Sequence, residues 1–228
     1  MTDAVILVGG KGTRLGELTK ITPKPLLKIG NKTFIEILLS KLIKYQFKKI
    51  YLLCSFKKEK FFKLYNNKFF HNSKVICINE GKPKDTGGAL FNLKKKIKKN
   101  FFLLNGDTYF DFDLNILDKF KDRNPICTLA VTKNNKKNQN LKMNHLSIKK
   151  DGSIKLSNTK TDLMNGGVYY LNKKIFKFIK NNKISLENEI FPKLIKKNEL
   201  KGIFLKSRFI DIGNKKNLEY VRKKNDYL

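Results

Sequence analysis

The chain has 228 residues, 40% of them hydrophobic, enough for one substantial core, and its 14 glycines and 5 prolines are too few for a fibrous or disordered chain. Lysine plus arginine outnumber aspartate plus glutamate 50 to 19, a formal charge of +31. That charge suits anionic partners, yet lysine is spread along the whole chain and only four arginines stand with it: Arg14, Arg123, Arg208 and Arg222. Nucleic-acid readers recruit arginine for forked phosphate and base contacts, so the composition argues for a solvated lysine surface and against a nucleic-acid partner. Cys54, Cys77 and Cys127 are odd in number, far apart and in apolar runs. They exclude a zinc or disulfide framework and fit a reducing cytoplasm. The first apolar run is too short for a signal segment. No stretch approaches the ~20 apolar residues of a membrane helix.

In chain order, Ala4 to Val8 is an unbroken aliphatic run, the signature of a buried parallel strand, and a glycine-rich loop follows it at once. Helical spacing of apolar residues predicts a helix over 34–45. A second buried strand covers 50–55, a helix 58–66, a strand 74–79, a helix 86–97 and a strand 101–104. Asp111 and Asp113 stand at the start of a further helix. Strands are expected over 126–132, 146–149 and 153–156, the last two joined through Asp151-Gly152, a hairpin signal. A strand over 168–171 follows Asn165-Gly166-Gly167. Helices should cover 173–179, 186–196 and 215–224, and short strands 202–205 and 209–212. Strand–helix alternation in the first half predicts a mostly parallel sheet with helices on both faces. The second half reads as mixed and partly antiparallel, within one domain over 1–228.

Gly9-Gly10-Lys11-Gly12-Thr13-Arg14-Leu15 lies where the first strand ends. Ligands of open α/β sheets bind beyond the carboxyl ends of strands. Glycines there let backbone N–H groups approach phosphate oxygens, and Arg14 adds a forked cation. The G-x-x-x-x-G-K-[ST] pattern is absent because Gly12 follows Lys11. The dinucleotide pattern fails because Leu15 stands where its last glycine should be. Thr22-Pro23-Lys24-Pro25 comes next, where two prolines stiffen the backbone around Lys24. Asp107 and Asp211 each sit at a strand end; they are caps on a structural reading and hard oxygen ligands for Mg²⁺ on a functional one. His71 and His145 lie in polar loops and are assigned no catalytic role.

The glycine loop followed by Pro23-Lys24-Pro25 resembles the opening motif of sugar-1-phosphate nucleotidyltransferases. The likeness continues through Glu80 to Ala89, Asn105-Gly106-Asp107, Asn165-Gly166-Gly167-Val168-Tyr169 and Phe209-Ile210-Asp211-Ile212-Gly213. Within that family, Asn105 to Asp111 and the short C-terminal end are most similar to the heptose 1-phosphate guanylyltransferases. The resemblance implies a three-layer α/β/α Rossmann-like nucleotidyltransferase fold with a mixed, mostly parallel central sheet. It implies a nucleotide-binding half over about 1–112 and a sugar-phosphate-binding half over about 113–228.

The implied activity is transfer of NMP, GMP first, from a triphosphate to a sugar 1-phosphate of heptose or mannose type. A thymidylyl- or uridylyltransferase acting on another hexose 1-phosphate is the alternative, with a basic nucleic-acid-binding protein behind it. By the same resemblance Arg14 and Lys24 are catalytic, and Leu7, Gly9, Gly10, Gly12, Thr13, Glu80, Thr86, Gly87, Gly88 and Asp107 bind nucleotide. Asn165, Gly166, Gly167 and Lys160, with Lys155 in reserve, bind the sugar phosphate, and Asp107 and Asp211 hold Mg²⁺. No nucleic acid and no membrane insertion are implied, and there is room for a homodimer. Two departures stand out. Lys84-Asp85 occupies the family's usual Leu-Gly, and Asn158-Thr159-Lys160-Thr161 replaces its Glu-Lys.

Overall fold

The structure is a computed structural model and describes residues 2–82, 85–133, 146–156, 162–181 and 183–223. In chain order the strands are β1 (Asp3–Leu7), β2 (Lys28–Ile29), β3 (Lys32–Thr33), β4 (Lys49–Cys54), β5 (Phe69–Phe70), β6 (Ser73–Asn79) and β7 (Phe101–Asn105). Then come β8 (Thr108–Phe110), β9 (Cys127–Lys133), β10 (Leu146–Ile148), β11 (Ile154–Leu156), β12 (Leu163–Leu171), β13 (Leu200–Phe204) and β14 (Phe209–Asp211). The α-helices are α1 (Glu17–Ile21), α2 (Phe34–Leu42), α3 (Lys58–Tyr65), α4 (Thr86–Leu90), α5 (Phe191–Lys196) and α6 (Lys215–Lys223). Two compact units result. One comprises Met1–Lys84, Leu104–Tyr109 and Ile210–Leu228, the other Asp85–Leu103 and Phe110–Phe209. The chain leaves each unit and returns to it.

In the first unit β1, β4 and β6 are parallel, and β5 turns back against β6. Ala4, Val5, Ile6, Ile50, Leu52 and Leu53 are wholly buried, as unbroken apolar runs require when both faces of a strand are covered. Helix α2 opens on a capping box: Glu36 N donates to Thr33 Oγ1 at 3.4 Å, and Thr33 N donates to Glu36 Oε2 at 2.7 Å. Phe34, Ile35, Leu38, Leu39 and Leu42 form its buried stripe. The expected helix over 34–45 ends as α2 at Leu42 and tightens into a 3₁₀ turn, Ile43–Tyr45, closed by Gln46 in the left-handed region.

In the second unit β9 lies antiparallel to β12 and parallel to β13. β10 and β11 form the expected hairpin, with Gly152 at φ +80° in its turn. β12 is longer than the expected 168–171, because Asn165-Gly166-Gly167 forms a β-bulge inside the strand instead of preceding it. The expected helix over 86–97 stops as α4 and a 3₁₀ turn, Phe91–Leu93. The lysines of 94–99 repel one another at helical spacing. The segment 186–196 divides into a π-helical turn, Leu186–Ile190, and α5. Pro192 lacks the N–H that a continuous α-helix needs there. The segment 173–179 forms a 3₁₀ turn, Lys173–Lys177, capped by Asn172. Asp113 caps a 3₁₀ stretch, Leu114–Arg123, by accepting from Asn115 N at 3.0 Å. No helix among the described residues is long and apolar enough to cross a membrane.

Candidate active site

The first unit gathers the glycine loop and the charged residues Arg14, Lys24, Glu80, Asp107 and Asp211. Leu7 ends β1, and its carbonyl accepts from Gly106 N at 3.0 Å. A Cβ on Gly106 would collide with that carbonyl, so only glycine lets Asp107 follow so closely on β1. Gly9 packs on the buried carboxylate of Glu80, with Oε1 2.8 Å from where a Cβ would stand. Gly12 lies at φ +67° and opens a 3₁₀ turn, Thr13–Leu15, while Thr19 Oγ1 donates to its carbonyl at 2.9 Å. Gly10 has no such structural duty, since a Cβ there would meet nothing within 4 Å. The backbone N–H groups of Gly10 through Arg14 donate to no acceptor among the described residues. Consecutive free amides on a glycine-rich turn make an anion cradle.

Beside this loop the charges converge. Lys24, buried between its prolines, donates from Nζ to Asp107 Oδ2 at 2.8 Å. Ile212 N donates to the Asp107 carbonyl at 3.0 Å, which sets Asp211 next to it. Asp211 is 4% exposed, and its Oδ1 accepts from Gly213 N at 2.6 Å. A Cβ on Gly213 would stand 2.7 Å from Asp211 Oδ1 and 3.0 Å from Arg14 Nη2, so both side chains crowd the space that glycine leaves open. Burial, and then the charge of Asp107, push the Asp211 carboxyl up to about 6, against the Gly213 bond and the cations of Lys24 and Arg14. Two buried polar atoms, Asn105 Oδ1 and Thr108 Oγ1, flank Asp107 without a partner among the described residues.

Two carboxylates held together at a loss of hydration suit a hard cation. Mg²⁺ takes one or two such ligands and completes its shell with phosphate and water. No group of three or more His, Cys, Asp or Glu gathers among the described residues. The pair Asp107 and Asp211 therefore fits Mg²⁺ and does not fit a closed zinc site.

The second unit places the other predicted residues. Thr86 begins α4, and its hydroxyl donates to Glu187 Oε2 while accepting from Leu186 N at 3.0 Å. Gly88 N donates to the Ile184 carbonyl at 2.8 Å, and a Cβ on Gly87 would stand 2.8 Å from that oxygen. Asn165, 8% exposed in the β12 bulge, accepts from Gly167 N at 2.8 Å and donates from Nδ2 to Tyr169 Oη at 2.8 Å. Gly166 sits against the Phe110 ring and the Ala130 carbonyl, 2.9 Å from its would-be Cβ, and Gly167 takes φ +70°. Lys155 is exposed on β11, while Lys160 and His145 lie outside the described residues.

No motif pointed to Glu187, which accepts from Thr86, from Tyr169 Oη at 3.5 Å and from Ser185 Oγ at 3.3 Å. In the sequence it reads as an acid complementing the start of a helix. Burial, aided by Glu187, drives the Tyr169 phenol well above its ordinary range.

The family model described as "Nucleotidyl transferase" matches residues 3–226. The D-glycero-alpha-D-manno-heptose 1-phosphate guanylyltransferase of Campylobacter jejuni is 34% identical over 92% of this chain and 94% of its own length. The bifunctional protein GlmU of Methanococcus aeolicus is also 34% identical, and there the chain spans 51% of the relative. Among solved structures, HddC from Yersinia pseudotuberculosis complexed with GMP-PN superposes with a TM-score of 0.77 at 29% identity, covering 98% of this chain and 99% of that one. The fold is accordingly α/β and Rossmann-like, with a mixed, mostly parallel sheet.

Proposed function

Because the chain belongs to the nucleotidyl transferase family, we propose that it transfers a nucleotidyl group from a nucleoside triphosphate to a sugar 1-phosphate and releases pyrophosphate. The observation that carries this is the meeting of Arg14, Lys24, Asp107 and Asp211 beside a loop whose amides from Gly10 to Arg14 donate to nothing among the described residues. Such a place holds a polyphosphate and offers no enzyme nucleophile. An oxygen of the sugar phosphate attacks the α-phosphorus in line with departing pyrophosphate, and the protein works by positioning and charge neutralisation.

In this reading the Gly9–Thr13 backbone cradles the triphosphate, and Arg14 balances the charge growing on the leaving group. Lys24 steadies the reacting phosphates and keeps Asp107 aimed. Asp107 and Asp211 would hold Mg²⁺, which supplies Lewis acidity when bound. Glu80, with Leu7, lines the nucleotide's place, and Thr86-Gly87-Gly88 shapes the chain against base and ribose. Asn165-Gly166-Gly167 serves the sugar, with Lys160 for its phosphate. The whole of 1–228 acts as one nucleotidyltransferase domain, in the cytoplasm, where its triphosphate is made and where three buried thiols stay reduced.

Guanine and a heptose- or mannose-type sugar are the proposed specificities, supported by the Campylobacter relative's guanylyl transfer and the GMP-PN in the Yersinia structure. The purified protein, given Mg²⁺, each of the common triphosphates and a set of sugar 1-phosphates, is expected to release pyrophosphate fastest with GTP and a heptose or mannose 1-phosphate. Turnover with UTP or dTTP instead would overturn the base. No turnover with any pair would overturn the function.

A further inference from the structure

We infer that Glu187 is a positioning residue that orders two substrate-facing segments of the second unit at once, the Thr86-Gly87-Gly88 turn and the Asn165-Gly166-Gly167 bulge. This rests on the substrate roles proposed above for those segments. A carboxylate is acceptor-only; besides Ser185 Oγ at 3.3 Å, the hydroxyls of Thr86 and Tyr169 reach it, and each spends its single proton on it. Thr86 gives its proton to Oε2, which leaves its oxygen to accept from Leu186 N at 3.0 Å. Tyr169 gives its proton to Oε1 at 3.5 Å, which leaves its oxygen to accept from Asn165 Nδ2 at 2.8 Å. With Nδ2 so engaged, Oδ1 of Asn165 is the atom turned to Gly167 N, at 2.8 Å.

Every donor in the two chains therefore points towards Glu187, and the direction of each bond follows from the carboxylate at the end. The strand position that looked like a sugar contact, Asn165, spends its amide inside the bulge and works by holding Gly166 and Gly167 in shape. Thr86 likewise spends its hydroxyl inward and fixes where α4 begins. The turn carrying Glu187 closes the arrangement, because Gly88 N bonds the Ile184 carbonyl and the absence of a Cβ on Gly87 lets that carbonyl approach. Shape complementarity of this kind acts on substrate binding more than on the chemical step.

The decisive variants are Glu187→Gln, Tyr169→Phe and Thr86→Val. The amide of Glu187→Gln keeps the volume but presents a donor where the carboxylate accepted from the hydroxyls of Thr86, Ser185 or Tyr169. Tyr169→Phe keeps the ring against Phe191, centroids 5.5 Å apart, and cuts only the arm to Asn165. Thr86→Val cuts only the other arm. Glu187→Gln should raise KM for both substrates about tenfold with kcat little changed, the loss of a charge-assisted hydrogen bond on each arm. Tyr169→Phe should raise KM for the sugar 1-phosphate alone, and Thr86→Val that for the triphosphate alone.

Hydrogen exchange on the substrate-free proteins reads the same coupling without turnover. Amides of 86–90 and 165–168 should both exchange faster in Glu187→Gln, and only 165–168 in Tyr169→Phe. Unchanged exchange in both segments of Glu187→Gln, or equal effects of the two single-arm variants, would overturn the inference. A wild type that shows the exchange pattern but turns over no substrate pair would sink the proposed reaction and leave the coupling standing.

Discussion

Replacing Asp211 by asparagine should make the metal-free protein more stable while abolishing its activity. Asp211 is 4% exposed, and burial with the nearby charge of Asp107 lifts its carboxyl from 3.8 to about 6. A carboxyl with a raised folded pKa is content below about pH 4, where folded and unfolded chains both carry the proton. It is penalised increasingly as pH rises, and fully above about 6. About two pKa units correspond to roughly 3 kcal/mol at neutral pH.

Asparagine keeps the acceptor for Gly213 N and carries no charge, but it buries an NH2 whose two N–H donors need acceptors, so a net gain of about 2 kcal/mol at most is expected. In a domain of this size that is roughly 4–8 °C in Tm. The assay is urea unfolding of both proteins in EDTA at pH 8, 6 and 4.5. The gap should be widest at pH 8 and shrink steadily towards acid. Mg²⁺ with a triphosphate should then stabilise the wild type and leave the variant behind. A variant no more stable than wild type at pH 8, or a gap indifferent to pH, would refute the argument that these two carboxylates stand together at a cost.

Three further outcomes follow from the same geometry. Gly10→Ala should leave stability unchanged or raise it by about 0.5 kcal/mol, since its Cβ meets nothing within 4 Å, yet raise KM for the triphosphate about tenfold by standing in the cradle. Gly106→Ala should do the opposite kind of damage, its Cβ meeting the Leu7 carbonyl, and lower stability by roughly 2 kcal/mol or more in thermal melts. Arg14→Ala, at an exposed side chain, should fold normally and lose about 10²–10³ in kcat/KM by steady-state pyrophosphate release.

The parallel strands were legible because Ala4 to Leu7 and Ile50 to Cys54 are unbroken apolar runs, a pattern that only two-sided burial rewards. The Asp151-Gly152 hairpin was legible because its turn chemistry is local. Elsewhere long-range structure overrides the local signal. Asn165-Gly166-Gly167 is expected ahead of the strand over 168–171, but it lies within β12 at a shift of register, with Phe110 and Ala130 close on Gly166. Pro192 stands in the sequence, and the 186–196 segment divides just before it, a π-helical turn giving way to α5. In the candidate site the residue types were readable one by one. Their pairings were not, since nothing local tells that Lys24 bonds Asp107 or that Gly213 is kept bare for Asp211 and Arg14. Glu187 carried no motif, because its importance lies wholly in what folds back onto it.

The interleaving of the two units bears on how this protein comes into being. Arg14 and Lys24 are made first, Asp107 near mid-chain and Asp211 close to the end, with an entire unit synthesised in between. A nascent chain halted at residue 209 would carry every partner of the cluster but one. The proposed site for ion and triphosphate is thus unfinished on a half-made polypeptide, and binding there would reward only the chain whose last strand, β14, has paired with β8.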